Sequence, residues 1–194
     1  MAKKNINDFL LTGDVTVGQS RNWMKRKDND AKSNLVRLIH HRFYNRYVKH
    51  LNKIDSGFLK MAVSCLMIET LESFRQGKRD TKGKGVGKKM FEDFFEVEQE
   101  LFPGFKGIAA DFYSSVRCGI LHQAETTNAW RILRRGPLLD KINIAVNATK
   151  FVHSLEKSLD NYIESLKAND FNSKIWKNAL FKIEDVCQNC NRRA

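Results

Sequence analysis

The sequence predicts an all-α protein, a single helical bundle of about six helices with a short β-hairpin after the fourth. Three observations predict it. Apolar residues recur at three- and four-residue steps through most of the chain. One segment, GFLKMAVSCLMIETLESF, is apolar on nearly every side, as the central helix of a bundle is. Only 2 prolines and no long Ser/Gly tract interrupt the 194 residues, so 1–194 reads as one domain without linkers.

The elements follow in order. Residues 1–28 lack a clear period and hold Gly13 and Gly18, so a loop or docked arm is expected there. From about Ala31 to Ile54, Leu35, Ile39, Phe43, Tyr47 and Leu51 repeat every fourth residue, which makes an amphipathic helix. Its other face carries Arg37, Arg42, Arg46, Lys49 and Lys53. Residues 57–76 form the central helix, and Gly77 is placed to stop it. The stretch GKRDTKGKGVGKK then reads as a flexible basic loop. Lys88 to Phe102 is helical, with Phe91, Phe94, Phe95 and Phe102 in its apolar set, and Pro103-Gly104 breaks it. The next helix covers about Phe105 to His122, with Ile108, Phe112, Val116 and Ile120 as its buried stripe. In AWRILRRGPLLDKINIAV the period changes, and β-branched residues around Arg-Arg-Gly-Pro predict a short hairpin. A helix from about Ala148 to Ala168 is capped by Asn147, and a last one runs from about Ser173 to Cys187. Residues 188–194 are read as a tail. There is no internal repeat.

The net charge is +12 and the isoelectric point about 9.6, a surplus that favours an anionic partner, of which nucleic acid is the commonest. The alternative is a merely soluble basic protein. The N-terminus, MAKKNINDFLLTG, has a basic start without the apolar run of a secretory leader. The most apolar segment carries Lys60, Glu69 and Glu72, which suits a buried helix rather than a membrane span. No membrane association is expected, and the cytoplasm is the natural compartment. Cys65 and Cys118 sit in apolar helical patterns as small core residues. Cys187-x-x-Cys190, just ahead of Arg192-Arg193, has no second pair or histidine nearby to complete a zinc site, so it reads as two tail thiols. No metal and no cofactor are expected. His40-His41 reads as surface, and GVGKK lacks the spacing and hydroxyl of a phosphate-binding loop.

The stretch FYSSVRCGILHQAE sets Arg117 and His122 in an otherwise apolar helix pattern. The two residue types suit phosphodiester cleavage. Histidine titrates near neutral pH and can take or give a proton at a ribose hydroxyl or a leaving oxygen. Arginine offers a permanent planar fork that matches phosphate and can stabilise the charge that builds on it. RNA supplies its own nucleophile, the 2′-hydroxyl. Spacing alone carries little, because 13 arginines and 5 histidines in 194 residues yield about one such pair by chance. On a straight helix the two side chains also diverge by roughly 140° and stand about 7.5 Å apart along the axis. A helix that ends near His122, or a site assembled from two chains, would relieve that splay. Supporting roles are open to several neighbours. Glu69 could orient either residue or simply face solvent. Glu125 and Gln123 could assist or be ordinary loop residues, and Tyr113 could support the site or pack in the core. Lys82, Lys84 and Lys88, with Arg131, Arg134 and Arg135 beyond the motif, are candidate phosphate contacts.

The segment FYSSVRCGILHQ resembles the Arg-x4–6-His signature of HEPN domains, a superfamily of small helical bundles in toxin–antitoxin, antiphage and RNA-processing systems. The buried segment MAVSCLMIETLESFRQGK resembles the second helix of such bundles, by a less specific pattern. The resemblance covers one motif and the overall helical plan. It implies a metal-independent endoribonuclease acting as a homodimer whose two motifs meet in a shared cleft, with an antitoxin or other regulatory partner. Arg117 would contact the scissile phosphate and His122 would act as general acid and base. One position departs from the pattern. Active members usually carry a polar residue after the arginine, and here that residue is Cys118, a weak hydrogen-bond donor. The competing expectation is a non-catalytic RNA-binding or protein-interaction module on the same fold. A DNA-binding regulator finds no helix-turn-helix spacing to support it.

Overall fold

The computed structural model of the protein describes residues 5–190. Residues 5–28 of the N-terminal stretch without a clear period are folded. A 3-10 turn at Ile6–Asp8 leads into an antiparallel pair, β1 (Leu10–Thr12) and β2 (Val15–Thr16). Helix α1 (Val17–Arg26) then starts on a capping box, in which the Thr16 hydroxyl accepts from Gln19 N–H and the Gln19 side chain accepts from Thr16 N–H. The loop or arm expected over 1–28 is therefore corrected over residues 5–28, which are a hairpin and a helix, while 1–4 lie outside the described residues. Strand passes directly into helix, so Leu11, Val15 and Val17 are buried without sharing one repeat.

Helix α2 begins as an α-helix at Asn29–Phe43, passes through a π-helical segment at Tyr44–Val48 and closes at Lys49–Leu51. Asp28 caps its start by accepting from Ala31 N–H at 2.7 Å. At its end the buried Lys60 ammonium donates to the Leu51 carbonyl at 2.8 Å. Arg42 does not stand on an open basic face. It turns inward and, with Arg46, donates to the Leu11 carbonyl, which ties the β1–β2 hairpin to α2. Burial lowers the Arg42 guanidinium to about 10, with the Arg46 charge adding to the effect.

Helix α3 (Gly57–Gln76) is capped by Ser56 and stopped by Gly77 at φ 65°. Any Cβ at Gly77 would stand 2.8 Å from Asn178 Oδ1, so the close approach as well as the left-handed turn asks for glycine. Helix α4 is Val86–Val97, shorter than the expected run to Phe102, and turns follow it. After a 3-10 turn at Lys106–Ile108 comes α5, which is α-helical at Ala109–Phe112, π-helical at Tyr113–Cys118 and α-helical again at Gly119–Gln123.

A three-stranded sheet of β3 (Arg131–Leu133), β4 (Leu139–Asp140) and β5 (Ala145–Asn147) follows, in the order β3-β5-β4. A hairpin exists, β4 against β5, but it turns beyond Asp140 rather than at Arg-Arg-Gly-Pro. The Asp140 carboxylate accepts the N–H groups of Ile142 and Asn143 at 3.1 and 3.0 Å and folds the chain back. Strand β3 then joins β5 in parallel, which a sequence window of this length does not reveal. Helix α6 (Ala148–Ala168) is capped by Asn147, which accepts from Thr149 and Lys150 N–H, each at 3.1 Å. Helix α7 (Lys174–Asn189) is capped by Ser173 and takes in the start of the expected tail, while Arg192 and Arg193 lie outside the described residues. The described residues thus form seven helices and two small sheets. The helix beyond the expected six is α1.

α3 lies at the centre and touches α4, α5, α6 and α7, while α2 packs on α1 and α6. The densest part of the core is aromatic. Phe95 meets Phe91, Phe94, Phe102, Phe105, Phe112 and Phe151 with ring centroids between 4.9 and 6.3 Å. Beside it lies a buried polar group. Arg75 pairs with Glu72 at 2.9 Å and with Glu98, and the Ser158 hydroxyl donates to Glu98 at 2.7 Å. No helix among the described residues is long and apolar enough to cross a membrane. Phe95→Ala is expected to destabilise the fold by about 3–5 kcal/mol, read as a lower urea midpoint. An unchanged midpoint would show that the cluster is not the centre of the core.

Candidate active site

The site begins with a carboxylate in the wrong solvent. Glu69 sits on α3, buried to 8% exposure, where an unpaired charge would be costly. Its two oxygens are both engaged. Oε1 accepts from Arg117 Nε at 2.6 Å, and Oε2 accepts from the Thr81 hydroxyl at 2.8 Å. Burial alone would lower the Arg117 guanidinium, and the hydrogen bond and charge of Glu69 reverse this and hold it above its ordinary value. Arg117 is therefore anchored to α3 through Nε, and that one bond fixes the orientation of its guanidinium.

The guanidinium also lies over the Tyr113 ring, 5.4 Å from its centroid. Tyr113 is half-buried against α4, edge-on to Phe91 at 5.3 Å, with Gly87 giving room for its hydroxyl. Burial raises the Tyr113 phenol above its ordinary value. The Arg117 charge opposes that rise, and Cys118 and Glu69 add to it. Cys118 is half-exposed and acts electrostatically on both Tyr113 and Arg117, so it belongs to this cluster rather than to the apolar core.

Arg117 opens onto a cleft of about 340 Å³. Glu69, Thr81, Arg79 and Lys182 share its wall, and the exposed Leu66 and Leu121 form its rim. Lys182 comes from α7. Its buried ammonium donates to the Arg79 carbonyl and to Asp185 at 3.2 Å. Lys182, Arg79 and Thr81 carry no motif in the sequence. Only the basic content of the stretch 77–89 bears on Arg79, and nothing in the sequence singles out Lys182 or Thr81.

The π segment of α5 shapes what comes next. A π turn leaves a carbonyl without its usual helical donor. Gly119 N–H bonds Val116 O, and the Ser115 carbonyl instead accepts from Thr127 N–H at 3.0 Å. Asp111 completes this dock by accepting from the Ser115 hydroxyl and from Trp130 Nε1, each at 2.8 Å. The docked loop is strained, with Ala124, Asn128 and Ala129 at φ 58°, 53° and 60°. A Cβ on Gly119 would stand 2.5 Å from the Glu125 carbonyl oxygen, so only glycine lets the loop lie this close.

The expected residues therefore divide. Arg117, Glu69, Tyr113 and Cys118 are brought together. His122, Gln123 and Glu125 are exposed at the end of α5 and on the docked loop, and His122 does not line the Arg117 cleft. The Glu125 carboxylate accepts from Thr126 N–H at 3.0 Å. Lys82, Lys84 and Lys88 are exposed at and after the loop that forms one wall of the cleft. Arg131, Arg134 and Arg135 are exposed around β3. Arg134 is engaged by Asp55, and with Arg135 it lines a separate hollow of about 640 Å³. At the far end of α7, burial pushes the Cys187 thiol up to about 11, while Cys190 is half-exposed. No cluster of three or more His, Cys, Asp or Glu that could hold a metal ion occurs among the described residues.

Glu69→Ala leaves Arg117 with its cation largely buried and unpaired, and is expected to cost about 3 kcal/mol in chemical denaturation. Adding Arg117→Met should restore part of that loss. A double variant that loses as much stability as the two singles added together would show that the pair is not coupled. Iodoacetamide at about pH 8 is expected to label Cys190 and spare Cys187 in the folded protein, read by mass spectrometry. Equal labelling of both would mean that the end of α7 opens. No family model matches the chain, and comparisons with curated proteins and with solved structures find no match either.

Proposed function

We propose that the protein is a metal-independent endoribonuclease of the HEPN type that works as a homodimer, in a toxin–antitoxin or antiphage setting. The observation that carries the reading is Arg117. It is locked by Glu69 through one nitrogen and faces a cleft it shares with Arg79 and Lys182, in a strongly basic chain. A cation held in this way is prepared for phosphate, because its orientation is set before the ligand arrives. His122 is the proton carrier in this reading, and it completes the site from the second copy. Leu59, Leu66 and Leu121 are 46%, 44% and 48% exposed. Leu66 and Leu121 rim the cleft itself, so an apolar contact on this face would bring two motifs together. Lys82, Lys84 and Lys88 are suited to carry the flanking phosphates, and Arg131 and Arg135 more distant ones.

A second reading, a non-catalytic RNA-binding module, is favoured by two specific features. His122 lies outside the cleft of its own chain, and Cys118 follows the arginine. The two readings separate in one assay, cleavage of a labelled single-stranded RNA in EDTA. The wild type is expected to cut, with His122→Ala and Arg117→Ala each slower by about 100-fold or more. Leu66→Glu is expected to give a monomer by sedimentation and to lose cutting while remaining folded. If no variant and no wild-type protein cuts while all bind with steep salt dependence, the binding module is the correct reading.

A further inference from the structure

Beyond the phosphate-facing cleft, one exposed feature has no role in the fold. Phe181 on α7 is 45% exposed, and the Arg79 guanidinium lies over its ring, 5.6 Å from the centroid. Arg79 also lines the Arg117 cleft, so the Arg–Phe stack is the outward continuation of that cleft. The stack stands on a pinned loop. Lys182, the neighbour of Phe181, holds the Arg79 carbonyl, and two residues on Glu69 holds the Thr81 hydroxyl at 2.8 Å. Lys78 N–H bonds Ser73 O at 2.9 Å and fixes the loop's departure from α3. Together the three ties hold one flat cationic side chain against one flat aromatic one.

We propose that Arg79 and Phe181 form a nucleobase-stacking subsite for the nucleotide next to the phosphate bound at Arg117, which makes the substrate single-stranded RNA. This rests on the reading of the cleft as an RNA site. An exposed aromatic ring beside a phosphate-binding cation is the arrangement that holds unpaired bases, since every base has a face to stack and a paired base does not offer it. Arginine adds to the stack through its own planar guanidinium. A duplex keeps its bases stacked on one another and gains nothing from the ring. The subsite therefore selects strand state and not sequence.

The test is the binding of a 2′-O-methyl RNA strand, which cannot be cut through its own 2′-oxygen, in three forms: single-stranded, in a blunt duplex, and single-stranded with abasic residues at the central positions. The wild type is expected to prefer the base-bearing single strand over both others. Phe181→Ala is expected to bind that strand about tenfold more weakly, the loss of one base–aromatic stack, with no change for the abasic strand. Phe181→Trp, which keeps a stacking face and reports on folding, should bind like the wild type. The salt slope should be the same for all three proteins, because no phosphate contact changes. If Arg117→Ala weakens binding while Phe181→Ala matches the wild type on every strand, the stacking subsite is wrong and the RNA reading stands. If the wild type binds none of the strands, the RNA reading fails and this inference fails with it.

Discussion

A helix surrounded on nearly all sides cannot keep its carboxylates in water. That constraint organises this protein. α3 carries Glu69 and Glu72 into the interior, and each must be met by donors, those of Glu72 from α3 itself and those of Glu69 from elsewhere. Glu72 takes Arg75 at 2.9 Å and Gln76 at 2.9 Å. Glu69 takes Arg117 from α5 and Thr81 from the loop after α3. The apolar contacts of α3 would tolerate some sliding of its neighbours, but the directional bonds of Glu69 do not. The position of α5 against α3 is therefore set by polar demand at one end and by the Phe95 cluster at the other. The candidate site is the place where that polar demand reaches the surface.

Much of the helical plan was legible because burial leaves a periodic trace. The span of α3, its stop at Gly77 and the Asn147 cap of α6 follow from residues whose local physics is strong. Three features were not legible, each for its own reason. α1 is short and opens from a strand, so no window long enough to show a period covers it. β3 pairs in parallel with a strand more than ten residues away, and parallel pairing leaves no turn signature. The π segments depend on one missing hydrogen bond, not on a residue type. In the site, Glu69 drew attention because a carboxylate in an apolar helix needs a reason. Arg79, Lys182 and Phe181 did not, because each is ordinary in its own local sequence and acquires meaning only when α7 comes to lie beside the 77–85 loop. Arg42 shows the opposite error. It reads as an outer-face charge, and it is turned inward to the carbonyl of Leu11, where the exposed Arg46 joins it.

The Arg–His spacing has a physical reading now that the helix geometry is known. Arg117 is close to the end of the π segment, and His122 falls within the α-helical turn that follows. The divergence expected of an α-helix thus persists between them, with Arg117 turned toward α3 and His122 toward solvent. The loop beyond His122 is held by the Ser115 carbonyl that the π turn releases, and it includes three non-glycine residues in the left-handed region. Strain of this kind persists only where the surroundings enforce it. Here the enforcing contacts, Asp111 to Ser115 and to Trp130, belong to the same helix that presents Arg117.

The π segment also bears on how this chain tolerates changes in length. A π turn holds one residue more than the α turn it replaces. Losing a single residue between Tyr113 and Cys118 would let the helix close into an ordinary α-helix with its backbone bonds intact. Such a deletion would be mild for folding and for the orientation of the flanking turns alike, since the wider turn already absorbs the extra residue. What it would remove is the carbonyl that the π turn releases, and the loop docked on Ser115 through Thr127 N–H would lose its seat. The extra residue works as a mooring, and the place of the loop is written in the residue count of this turn as much as in its side chains.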